Sequence, residues 1–145
     1  MFKKFLDMLF GNKDKPKKEA FKILGSDVKK ILQNSAPKAL IKIADANYKI
    51  YAYNDVVKFL ADNLIDRRQY IPEIHDCDDF ALALMAMARW HMKGIPFGEV
   101  WLTQPSGGHA VNFFIDENTQ FWLVEPQTDE ISRVKETQKI FFLKV

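Results

Sequence analysis

The sequence contains one cysteine, Cys77, so no internal disulfide framework can hold the chain together and the lone thiol needs another account. One cysteine and three histidines also supply no spaced ligand set for zinc. Glycine and proline number six each, which excludes collagen-like and low-complexity architectures. No internal repeat is present. No apolar run is long enough to cross a bilayer, and Asp7 interrupts the short apolar stretch at the start, so the expected location is cytoplasmic. A formal charge of +2 is too small for a nucleic-acid binder, and it is uneven. Met1 to Lys22 holds seven lysines against Asp7, Asp14 and Glu19, which leaves the rest slightly acidic.

What is there is the composition of an ordinary globular domain. The chain has 145 residues, 48% of them hydrophobic and twelve of them Phe. One domain of that size buries about two-thirds of the surface its unfolded chain exposes. Phe2, Phe5, Leu6, Leu9 and Phe10 recur at helical spacing opposite Lys3, Lys4 and Asp7, and Gly11-Asn12 closes the segment. Residues 1–20 therefore read as an amphipathic segment and a basic linker through Pro16, and 21–145 as a single domain. The amphipathic stretch can lie weakly on a membrane surface, dock on a partner or pack back on the domain.

Within the domain, a Ser-Asp cap and Val28, Ile31 and Leu32 predict a helix from Ser26 to Asn34. A strand is expected over Tyr48 to Tyr53, then a helix capped by Asn54 that buries Val57, Leu60 and Leu64, then a loop from Ile65 to His75. Asp76 to Gly94 reads as one helix, apolar all round between Phe80 and Ala88 and so buried on most sides. Strands are expected at Glu99 to Thr103, His109 to Asp116, Phe121 to Pro126 and Ile140 to Val145. Helices followed by a mostly antiparallel sheet make an α+β fold, with a central buried helix carrying Cys77 at its N-terminus and packing across the sheet.

Cys77 falls where four backbone N–H groups lack helical partners and the helix dipole favours an anion, which suits a thiolate. A small buried thiol is the alternative. His109 opens a strand just after Gly107-Gly108, whereas His75 precedes the helix and His91 ends it, so His109 is the better candidate base. Glu125 is an isolated acid in an apolar run and needs a partner. With a five-residue hairpin loop, Asp116 to Gln120, Val111 opposes Glu125 and His109 lies on the same face. With an even loop Asn112 becomes the neighbour of Glu125 instead, and Asn112 and Gln127 stay open as the third group. The backbone N–H of Cys77 and the side chain of Gln69 are candidate oxyanion donors.

Three blocks carry a resemblance: His75-Asp76-Cys77-Asp78-Asp79-Phe80-Ala81, Gly107-Gly108-His109-Ala110-Val111-Asn112 and Trp122-Leu123-Val124-Glu125-Pro126-Gln127. In this order they resemble the catalytic blocks of papain-like and transglutaminase-like cysteine proteinases, nearest the papain-like C-terminal domain of mushroom-type agglutinins. The resemblance spans about Ile74 to Ile131. It implies an acyl-transferring fold with a triad carried onto Cys77, His109 and Glu125. No lectin repeat precedes the blocks, so it does not imply sugar targeting.

The expected activity is therefore a thiol hydrolase attacking a peptide or other amide carbonyl through a thioester, with a peptide or protein as substrate. A cell-wall amidase of the same chemistry, or a catalytically silent binding module on the same fold, is the alternative. The chemistry requires no cofactor. The resemblance does imply activation by calcium, and Asp76, Asp78 and Asp79 crowd the thiol with like charge that calcium or manganese would offset. Alternatively these acids cap the helix.

Overall fold

The computed structural model describes residues 21–145, so the amphipathic segment expected at 2–10 and the linker to residue 20 lie outside the described residues. Strands are β1 (Phe21–Leu24), β2 (Leu40–Lys42), β3 (Asn47–Ile50), β4 (Phe97–Gln104), β5 (Gly107–Ile115), β6 (Phe121–Glu125), β7 (Glu130–Ser132) and β8 (Lys139–Lys144). The helices among the described residues are α1 (Gly25–Ser35), α2 (Tyr53–Asp62) and α3 (Cys77–His91), with a short 3-10 turn at Ile65–Arg67. A six-stranded sheet runs in the order β2-β8-β4-β5-β6-β7, and β1 pairs with β3 separately. Among the described strands only the β2–β8 pairing is parallel. The α+β class and the mostly antiparallel sheet are as expected, while β1, β2 and β7 went unread because three or four residues show too little alternation.

The period of two along β5 sorts the domain into layers. Val111, Phe113 and Ile115 enter a core with Val28 and Leu32 of α1, together with Tyr48 and Ile50 of β3. Phe114 points the other way, into a second core with Val56 and Leu60 of α2 and Leu84 and Ala88 of α3. The sheet is thus covered by α1 and the β1–β3 pair on one face and by α2 and α3 on the other. Burying Phe113 and Phe114 fully stabilises by about 1.5–3 kcal/mol each. Gly98 lets β8 and the Phe113 ring close in, since a Cβ there would lie 2.2 Å from Lys144 O.

The five-residue hairpin expected between β5 and β6 is present, because Asp116 folds it. Its Oδ1 accepts the Asn118 and Gln120 N–H groups at 2.8 and 2.9 Å, and its Oδ2 accepts Trp122 Nε1 at 2.8 Å. Ile115 then pairs Phe121 and Asn112 pairs Val124, so the register continues to Val111 opposite Glu125.

The helices depart from expectation in detail. α1 starts on Leu24 and α2 on Ala52, with no side-chain cap from Ser26 or Asn54. The face of α2 turned inward is Val56 and Leu60, whereas Val57 and Leu64 are exposed. α3 buries Phe80, Ala81, Leu84 and Ala88 but leaves Leu82, Met87 and Trp90 exposed, so it is covered on one side rather than most. The sheet, α2, the turn at Ile65–Arg67 and the rings of Tyr70 and His75 reach it, and the more deeply buried element is β5, packed from both faces. No described helix is long and apolar enough to cross a membrane.

Candidate functional site

His109 and Glu125 come together as the register requires: Nε2 of His109 donates to Oε2 of Glu125 at 2.6 Å. The side chains are 19% and 26% exposed, so this hydrogen bond is more shielded from water than a surface contact. Oε1 of Glu125 accepts the backbone N–H of Gln127 at 3.2 Å, closing the turn that leads into β7. Gln127 thus supports Glu125 through its backbone.

The pair borders a cavity of about 120 Å³ lined also by Gln104, Val111, Leu123, Glu130, Ser132, Lys135 and Gln138. Gln138 ties two walls, donating to Gln104 Oε1 at 3.3 Å while its Oε1 accepts Lys135 N–H at 2.9 Å. Sequence reasoning missed these residues. They come from β4, β7 and the segment before β8, and no local spacing announces that they converge.

Cys77 begins α3, where Asp76 and Asp79 form a reciprocal capping box; Asp79 Oδ2 accepts the Asp76 N–H at 3.2 Å. Asp76 Oδ2 also accepts Glu73 N–H at 3.2 Å. These two acids are spent on shaping the helix start, the alternative reading of the cluster. Asp78 is pushed above its ordinary value, first by its hydrogen bond with Asp76 and then by desolvation. Ligand atoms of Asp76, Cys77 and Asp78 lie within 4.8 Å of one another, a spacing common among acids at a helix cap. Tyr70 and His75 pack on Phe80 beside this cap, with ring centroids 6.4 and 4.8 Å away. Burial, then the charges of Asp76, Cys77 and Glu73, raise the Tyr70 phenol.

The two halves of the expected triad are not joined. No hydrogen bond links Cys77 to His109 among the described residues. His109 shares the pleat face of Val111 and Phe113, the α1 side, while α3 lies against the opposite face. Asn112 marks that opposite face. Its Nδ2 donates to Ala81 O of α3 at 2.7 Å and to Gly98 O at 3.0 Å, and it is fully buried. Asn112 is therefore a clamp between helix and sheet and not a neighbour of Glu125, because the odd hairpin loop puts Val111 there instead. Gln69 is exposed in the loop before α3 and no contact ties it to Cys77.

Comparison with protein-family models finds no match, and no curated protein matches the sequence. Solved structures do. A complex of PSL1a with E64 superimposes with a TM-score of 0.74 at 20% identity, covering 86% of this chain and 50% of that one. Polyporus squamosus lectin bound to the human-type influenza-binding epitope Neu5Acα2-6Galβ1-4GlcNAc gives 0.71 at 21% identity, covering 86% and 49%. The chain thus spans about half the length of these lectin chains and shares their fold. The likeness to a mushroom-type lectin agrees with the resemblance read from the three blocks.

The expectation of a thiol hydrolase acting on peptide substrates is corrected on this evidence. The similar structures are those of a lectin, and in this chain the thiol is not engaged by the histidine. The cell-wall amidase falls with it, since both need Cys77 as nucleophile and His109 as its base. A catalytic triad and calcium or manganese activation gain no support from the lectin neighbours, and Asp76 and Asp79 already have structural work at the cap.

Proposed function

We propose that this chain is a catalytically silent binding module and that its ligand class is carbohydrate, held at the cavity beside His109 and Glu125. The observation that carries the reading is that cavity itself: a shielded His109–Glu125 hydrogen bond among amide, hydroxyl and ammonium groups, with Val111 and Leu123 as its apolar lining. A sugar presents hydroxyls that both donate and accept and one face of C–H groups. Gln104, Gln138, Ser132 and Glu125 match the first and the two aliphatic side chains the second. The likeness to Polyporus squamosus lectin supports the class, and the glycan bound to that protein is the natural first ligand. The order of a helix headed by Cys77, a strand with His109 as its third residue and a strand ending on Glu125 supports a papain-like or transglutaminase-like arrangement, kept as architecture.

Isothermal titration with Neu5Acα2-6Galβ1-4GlcNAc, and with a panel of neutral and sialylated oligosaccharides, tests the reading. Saturable binding weakened at least tenfold by Gln104→Ala and by Glu125→Ala is expected, roughly 1.4 kcal/mol or more. No heat from any glycan at about 1 mM, or binding indifferent to both substitutions, would sink it.

A further inference from the structure

The sheet face that receives α3 is only partly covered by it. α3 packs on β4 and β5, and the core it shares with α2 runs from Phe97 of β4 to Val124 of β6. Past β4, strands β8 and β2 carry the same face out to the sheet edge. Residues directly opposite on neighbouring strands share a face, so the register fixes what stands there. Leu40 is opposite Phe142 and Phe142 opposite Trp101, which makes one apolar row across three strands, about 10 Å wide. The alternate set, Ile41, Leu143, Val100 and Leu102, goes into the core on the α1 side.

Lysines bound the row at both ends. Lys42 and Lys144 stand opposite each other one pleat repeat, about 7 Å, to one side, and Lys139, opposite Thr103, lies on the other. All three are exposed. Glu99 is the one acid in β2, β4 and β8, and it is buried, with Oε1 accepting Trp101 Nε1 at 2.6 Å. That bond satisfies the indole N–H from within and fixes the ring. Phe142 packs beside it at 5.3 Å between centroids, and Phe141, at the bulge in β8, meets it edge-on at 6.4 Å. Leu40, Phe141 and Trp101 nevertheless stay 63%, 48% and 41% exposed, a joined apolar patch that folding leaves in water.

We propose that this face docks on an anionic lipid surface. The charges state what complements it: three lysines around the row, with the acid beside them withdrawn and bonded. Two features select a lipid surface over an acidic protein. The cations are all lysine, whose flexible stems lie along apolar neighbours and whose ammonium groups read a diffuse anionic field, whereas a carboxylate held in one geometry is the task of an arginine fork. The apolar members are Trp, Phe and Leu at a sheet edge, the side chains that settle at the boundary between headgroups and acyl chains. Each lysine near such a surface adds about fivefold in affinity, so the three favour anionic over neutral lipid by on the order of a hundredfold.

Co-sedimentation of the full chain with phosphatidylcholine vesicles, with and without about 30% phosphatidylserine, tests the proposal. Binding to the anionic vesicles is expected, lowered at least about tenfold by Lys42→Glu/Lys144→Glu and about five- to tenfold by Leu40→Asn/Phe141→Asn. All four side chains are exposed, so thermal unfolding of these variants should match that of the parent. Binding that survives both double variants places the contact elsewhere in the chain and overturns the proposal. Equal binding to phosphatidylcholine alone, or binding to neither vesicle, does the same. So does an affinity for polyglutamate, lost in Lys42→Glu/Lys144→Glu, that the anionic vesicles do not share, which would identify an acidic protein as the partner.

Discussion

Replacing Asn112 tests how α3 is held to the sheet. The side chain is completely buried, and its Nδ2 serves two carbonyl oxygens, Ala81 O in α3 and Gly98 O in β4, while Oδ1 has no partner. Asn112→Ala removes two hydrogen bonds, about 0.5–1.5 kcal/mol each, and leaves a small cavity costing on the order of 1 kcal/mol. Losing the unpartnered Oδ1 returns part of this, so the expected net loss is about 2–3 kcal/mol. With a urea m-value of roughly 1.5 kcal/mol/M, the midpoint falls by about 1.3–2 M. Asn112→Asp should cost more at neutral pH, because its carboxylate would face two carbonyl oxygens in a dry site. Its folded-state pKa would then lie above the unfolded value, so the deficit relative to Asn112→Ala grows as pH rises from about 4 to about 8. Paired urea titrations across that range are the assay. A loss below about 1 kcal/mol for Asn112→Ala, or an aspartate variant whose deficit is flat with pH, refutes the clamp.

Two further outcomes are expected. Second-order alkylation of Cys77 by iodoacetamide at neutral pH should be unchanged by His109→Ala, since no hydrogen bond links the two; a tenfold fall would show a coupled base and refute the silent reading. Asp129 is pushed up to about 6 by burial and then by the nearby charge of Asp66, and each carboxylate keeps one buried, unpartnered oxygen. A raised acid binds its proton more tightly when folded, so stability falls as pH rises from about 4 through about 6. Asp129→Asn should remove that slope and gain about 1 kcal/mol at pH 7 after solvent screening. Asparagine also tolerates the positive φ of 61° there, so an unchanged slope in pH-dependent thermal unfolding would count directly against the Asp66–Asp129 repulsion.

The pairing of His109 with Glu125 was legible in the sequence because it depends on local quantities: a five-residue loop, the turn chemistry of Asp116 and a side-chain period of two. The start of α3 was legible for the same reason, since Asp76 and Asp79 satisfy the first N–H groups within four residues of chain. Whether Cys77 meets His109 is different in kind. It depends on which face of the sheet receives α3, and the three blocks carry the right residues in the right order whether or not the pleat brings them together. Only the tertiary structure decided that, through Asn112, whose amide reaches Ala81 and so assigns its own face of β5 to the helix. The polar cavity and the apolar row belong to the same class of fact. Gln104 and Gln138 are 34 residues apart, and Leu40 and Trp101 reach one row only through β8, so their meeting is set by sheet order, which no window of sequence contains. Exposure of Met87 and Leu82 follows likewise: an apolar helix is buried only where neighbours exist, and α3 has them on one side.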